Sequence, residues 1–165
     1  NLSSHKPGWD ARWNEFSIWA EKGQILMEKM LHLVDEDTEA FNRIMDALGM
    51  PKESEAEKLA RVEALQAATI YATQVPLQTM EVAISGFELV YEMACKGNPN
   101  SVSDAGVGAL ALWSAVQGAF LNVKINASGI NDRTIAEDIL AKADKIAAES
   151  DILRDKVLTQ VNTII

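Results

Sequence analysis

The chain has 165 residues, enough for one domain with its own core, and its 48% hydrophobic and 24% charged composition is ordinary for a globular protein. A net charge of −9 argues against a nucleic-acid partner, which would require a basic patch. The single cysteine, Cys95, excludes an intrachain disulfide framework and fits a reducing, cytoplasmic setting. Glycine and proline are sparse (9 and 4), and strand-like alternation is absent, so the pattern predicts an all-α bundle. The expected architecture is one domain over residues 1–165, built of about five to six long helices.

The first helix is expected from about Asp10 to Leu48, after Pro7-Gly8, with Gly23 a possible kink and Gly49-Met50-Pro51 its stop. Trp9, Trp13 and Trp19 look like packing or interface anchors for it. Leu26, Met30, Leu33, Asp37, Ala40, Ile44 and Ala47 follow an alternating four-and-three spacing, the seam of a core-facing helix. Asp37 is the only polar member. An unpaired carboxylate facing a core is costly, so it must be paired, protonated or turned to a polar cavity. That makes Asp37 a candidate functional group, against the plainer reading of a buried structural acid. Asp35, Glu36 and Glu39 fall on flanking or outer faces. Glu28 and His32 would form a surface pair.

Ser54 with Glu57 is a capping-box pattern that opens a second helix, with Val62, Leu65, Thr69 and Ala72 inside. Pro76 should break or kink the chain. Beyond it, Leu77, Met80, Ile84, Phe87, Tyr91 and Ala94 form the seam of another helix, which ends at Lys96-Gly97. Ser101 with Asp104 is the next start signal. Residues 105–123 carry no charge, and a helix apolar all round is expected to be buried all round, at the centre of the domain or of a subunit interface. Asp104, Ser114, Gln117 and Asn122 weigh against its spanning a membrane. After Ser128-Gly129, Asn131 or Asp132 should cap a last helix with Ile135, Ile139, Ala143, Ile146, Leu153, Val157 and Ile164 inside.

Asn122 and Asn126 share one helix face in an apolar stretch. Buried amides need hydrogen bonds, so their partner is either another helix or a polar ligand. Ser103-Asp104 reads as a helix cap or as the end of an anion-binding helix. No zinc motif, phosphate loop, nucleophile elbow or Glu-x-x-His pair occurs, so no metal is expected. Cys95 reads as a small buried hydrophobe.

Several segments together carry a family resemblance: Leu33-Val34-Asp35-Glu36-Asp37-Thr38-Glu39-Ala40-Phe41, Leu48 with Pro51-Lys52, Val75-Pro76-Leu77, Gly97-Asn98, Ser103-Asp104, and Gly118 through Asn126. In this order and spacing, over about residues 25–160, the chain resembles the cyclodeaminase domain of formiminotransferase-cyclodeaminase and its stand-alone methenyltetrahydrofolate cyclohydrolase relatives. The resemblance implies a helical homodimer that binds a reduced folate, polyglutamylated forms included, as substrate near the subunit interface. It places the catalytic acid, second in the V-D-x-D pattern, on Asp37. Asn122, Asn126, Asp104 and Lys52 are the expected substrate contacts, with Arg43, Lys96 and Lys124 further cations for the anionic tail. The formiminotransferase half is absent here, and the Gly-rich segment and first helix that open family members would precede Asn1. Neither nucleic acid nor membrane is an expected partner. The competing expectation is a non-catalytic helical dimerisation module.

Overall fold

The computed structural model describes residues 7–165; His5, the second histidine of the chain, lies outside them. Four long helices carry the fold: α1 (Trp13–Gly49), α2 (Glu55–Lys96), α3 (Val102–Ala127) and α4 (Arg133–Asn162). Single 3-10 turns at Asp10–Arg12 and Pro99–Ser101 precede α1 and α3. The expectation of five to six long helices is therefore corrected to four.

The difference arises at Pro76, which lies inside α2 and does not end it. Proline there removes one N–H and crowds the carbonyl four residues back. Burial outweighs that cost: Val75, Pro76, Leu77, Met80, Ala83 and Phe87 are all buried, and burying a side chain such as Met80 or Phe87 contributes about 1.5–3 kcal/mol.

The caps follow local chemistry. The Glu57 amide donates to the Ser54 hydroxyl (3.3 Å) and the Ser54 amide donates to the Glu57 carboxylate (2.8 Å), which is the expected capping box. Asp132 caps α4 by accepting from the Thr134 amide (2.9 Å). Met50 is extended because Pro51 follows it, and Arg61 donates to the carbonyls of Ala47, which also accepts from the Met50 amide, and Leu48 at the end of α1. At the start of α3, Ser101 makes no side-chain cap bond, and Asp104 lies in the first turn and not at the cap.

Helix α2 is the hub, packed against α1, α3 and α4, and α3 also packs on α4. Leu77, Met80, Val116, Val123, Ile139 and Ala143 form the main core cluster; Phe87, Val102, Ala109, Val157 and Val161 form a second. Between α3 and α4, Gln117 donates to Ser150 Oγ (3.2 Å) and Trp113 Nε1 donates to Asp151 (2.7 Å), satisfying polar groups in a largely apolar contact. Gln66 on α2 clamps the α3–α4 turn through the Gly129 carbonyl and the Asn131 amide.

Helix α3 is not buried all round. Val107, Leu110, Leu121 and Ile125 are exposed, along a face that neither α2 nor α4 covers. By length and composition its segment, Pro99–Ala127, is apolar enough to cross a membrane, the only such helix among the described residues. One further expectation fails, since Cys95 is exposed; α1 runs unbroken through Gly23, where a Cβ would sit 3.2 Å from Leu89 Cδ2.

Candidate functional site

The acidic turn of α1 is arranged differently from the seam reading. Leu33, Ala40 and Ala47 are buried as expected, but Asp37 is exposed and Glu36 is half-buried. Positions three and four after Leu33 both border the apolar stripe, so spacing alone does not separate them. Tyr71 on α2 decides the matter, because its hydroxyl donates to the Glu36 carboxylate. That hydrogen bond, aided by burial, pushes the Tyr71 phenol above its ordinary pKa. The Arg43 guanidinium lies 4.1 Å over the Tyr71 ring and pairs with Glu39 (3.1 Å). His32 meets Glu36 at 3.5 Å, not Glu28. Asp37, by contrast, makes no hydrogen bond or ion pair with any described residue.

The two asparagines have different fates. Asn126 is half-buried and donates from Nδ2 to the Ala72 carbonyl (2.8 Å), so its amide is committed to the protein itself. Asn122 is exposed and unpartnered among the described residues.

Helix register fixes which candidates are neighbours. Helix α1 runs antiparallel to α2, since Lys22 meets Glu88, Glu36 meets Tyr71, and Ala47 meets Arg61. Helix α3 is also antiparallel to α2, since Gly108 approaches Val90, Leu112 approaches Gly86, and Asn126 reaches Ala72. Asp37, Asn122 and Asn126 therefore lie at one level of the bundle, around Tyr71 to Pro76 of α2. Asp104 does not. It shares a cavity of about 440 Å³ with Phe16, Trp19, Met93, Asn98 and Ser101. Met93 is roughly six turns beyond Tyr71 on α2, about 33 Å at 1.5 Å per residue. Lys52 lies the other way, beside Lys58 and Arg61, and Arg61 is roughly 15 Å of helix from Tyr71. The five expected residues thus do not form one site within one chain.

An apolar cavity lies between the Asp104 level and the Asp37 level of the bundle. Leu26, Met27 and Met30 of α1, Ala83 and Gly86 of α2, and Gly108 and Ala111 of α3 line a cavity of about 410 Å³. Asp37 is two turns beyond Met30 and Asn122 three turns beyond Ala111, so both continue the groove-facing rows. Leu31, Val34 and Phe41 on α1, with Val107, Leu121 and Ile125 on α3, are each at least 60% exposed. So much apolar surface marks an interaction face.

Of the remaining expected cations, Lys96 pairs with Glu92 and Glu15, and Lys124 lies 4.1 Å over the Phe120 ring. Among the described residues no group of three His, Cys, Asp or Glu side chains is placed to hold a metal. Sequence reasoning missed the Glu36–Tyr71 bond and the cavity around Trp19. The first needed a contact 35 residues away in sequence, and the second needed three helix ends brought together.

These features define an antiparallel all-helical bundle with an exposed acid, unpartnered among the described residues, two turns beyond an apolar cavity. Over residues 1–145 the chain matches formiminotransferase-cyclodeaminase, and it belongs to that family. A methenyltetrahydrofolate cyclohydrolase from Methylorubrum extorquens is 36% identical over 143 residues, 87% of this chain and 69% of that protein. The formimidoyltransferase-cyclodeaminase of Sus scrofa is 33% identical over 122 residues, 74% of this chain but only 23% of its own length, so the chain spans less than a quarter of that relative. A formiminotetrahydrofolate cyclodeaminase from Thermotoga maritima has the same fold, with a TM-score of 0.83 and 26% identity over 99% of this chain and 78% of that one.

Proposed function

We propose that this chain is a folate one-carbon enzyme acting at the formimino or methenyl carbon of a tetrahydrofolate, with Asp37 as its general acid–base. The observation that carries this reading is an acid with no partner among the described residues, at the position the family pattern marks and level with the amide of Asn122, likewise unpartnered among them. Glu36 and Glu39, its neighbours, are already engaged by Tyr71 and Arg43.

In cyclodeamination, N10 of 5-formiminotetrahydrofolate attacks the formimino carbon. The C–N10 bond forms, N10 gives up its proton, and the tetrahedral centre expels its amino nitrogen as ammonia once that nitrogen is protonated. Asp37 takes the first proton and returns it to the leaving nitrogen, work worth about 10²–10⁴-fold in rate. In the cyclohydrolase direction, water adds to the same carbon of 5,10-methenyltetrahydrofolate, Asp37 accepts its proton, and the ring opens to the formyl product. An anionic Asp37 also favours the methenyl cation. One constellation serves as C–N hydrolase or ammonia-lyase; the latter role belongs to histidine degradation. Asn122 would bond the polar pterin edge. Asp104 and Lys52, each many ångströms away along α2, are not assigned to that contact within one chain.

The exposed apolar faces of α1 and α3 support a homodimer, and desolvation of Asp37 would come from that second copy. We place the enzyme in the cytoplasm, with polyglutamylated folates among its substrates and neither metal, membrane nor nucleic acid as a partner. The same apolar faces would also suit a dimerisation module without catalysis, which ignores folates; a folate at 100 times its Kd would stabilise the enzyme, but not the module, by about 2.7 kcal/mol. The test is to add 5-formiminotetrahydrofolate, then 5,10-methenyltetrahydrofolate, to the full-length protein and follow methenyl absorbance with ammonia. Protein-dependent turnover of either substrate supports the reading, and turnover of neither overturns it.

A further inference from the structure

We infer that Asn126 is a positioning residue whose task is created by Pro76. Proline has no N–H, so the carbonyl of Ala72, four residues back in α2, loses its helical donor. Ala72 is buried, so water cannot readily replace that donor, and a buried unpaired carbonyl is costly. Asn126 of α3 supplies the missing donor, with Nδ2 at 2.8 Å from the Ala72 oxygen. One chemical defect in α2 thereby becomes a tie between α2 and the last turn of α3.

The same stretch of α2 also holds the acidic turn of α1. Tyr71 donates to Glu36, next to Asp37, and Ala72 and Val75 pack with Leu33 and Ala40. Residues Tyr71 to Val75 thus fix α1 on one side and α3 on the other. Asn122 is one turn from Asn126 on the same face of α3. The tie therefore sets the height of Asn122 relative to Asp37. In the proposed reaction, on which this half of the inference rests, Asn126 acts through Asn122 and the groove wall and does not touch substrate.

The test is a double-mutant cycle on the full chain, with Pro76→Ala and Asn126→Ala made singly and together, read by thermal unfolding and by steady-state kinetics. Asn126→Asp is the near-isosteric variant that loses the donor and adds a negative charge facing the Ala72 carbonyl. Asn126→Ala and Asn126→Asp should each lower Tm by roughly 3–10 °C and kcat by roughly 10- to 100-fold. Pro76→Ala restores an N–H for the Ala72 carbonyl, so removing Asn126 in that background should cost little in Tm or kcat. Equal Tm losses in both backgrounds would overturn the coupling. Recovery of Tm with kcat still depressed would overturn the positioning role and make Asn126 a substrate contact. Absence of turnover by the unmodified chain would overturn the catalytic half together with the folate reading, while the Tm cycle still decides the Pro76–Asn126 link.

Discussion

The Tyr71 hydroxyl donates to the Glu36 carboxylate, and this contact selects which acid of the Asp35–Asp37 run turns to the bundle. Glu36 is drawn toward α2, and Asp37 stays exposed with no partner among the described residues. The structural contact thus falls to Glu36 and the proposed catalytic role to Asp37, its neighbour about 100° away on α1.

The Tyr71–Glu36 bond makes stability depend on alkaline pH. Its phenol has a raised pKa in the folded state, so the stabilisation is fully present below the ordinary tyrosine value near 10 and is lost as pH rises through the folded value. Glu36→Gln removes the main cause of the shift. The variant should show a smaller loss of Tm above pH 10 than the unmodified chain, measured by thermal unfolding across pH 8–12.

Gly97 ends α2 with an extended backbone, so its role is not a left-handed turn. A Cβ there would meet the Met93 carbonyl oxygen at 2.4 Å, a backbone atom that cannot step aside. Gly97→Ala should destabilise the chain by about 1–3 kcal/mol, the usual scale for overpacking, in urea unfolding.

Ser54→Ala removes half of the capping box on α2. It should cost about 1 kcal/mol. The Glu57 carboxylate lies below its ordinary pKa, chiefly through the Ser54 amide and next through the Ser54 side chain, and the side-chain share, which the variant lacks, is lost as pH falls through the folded value. Unfolding at pH 7 and pH 3 should therefore show a smaller difference between variant and parent at the lower pH.

Asn122→Ala should raise KM for a reduced folate by about tenfold, one hydrogen bond's worth of binding, and leave Tm within about 1 °C because the side chain is exposed. Steady-state kinetics beside a melting curve checks both halves.

Much of this was legible in the sequence because local signals have local causes. The Ser54–Glu57 box, the Asp132 cap and the buried positions Leu77, Met80, Phe87 and Ala94 all appear as expected. What failed depended on distant partners. Pro76 reads as a break until the burial around it and the Asn126 donor are known. The spacing puts Asp37 on the seam and Glu36 on its flank, and the contact with Tyr71 reverses the two. Residues 105–123 look apolar all round, but α2 and α4 leave one face open. Asp104 was expected at the site as a cap or ligand and Lys52 as a cation for the anionic tail; within one chain antiparallel packing sets them at different levels of α2 from Asp37.

The most direct measurement compares Asp37→Asn with the unmodified full-length protein on 5,10-methenyltetrahydrofolate and 5-formiminotetrahydrofolate, with circular dichroism melts on both. Asp37 is exposed and unpaired, so the variant should keep its helicity and Tm. Its kcat should fall by about 10²–10⁴-fold, the scale of general acid–base work. Turnover equal to that of the unmodified protein would contradict the assignment of the chemistry to Asp37.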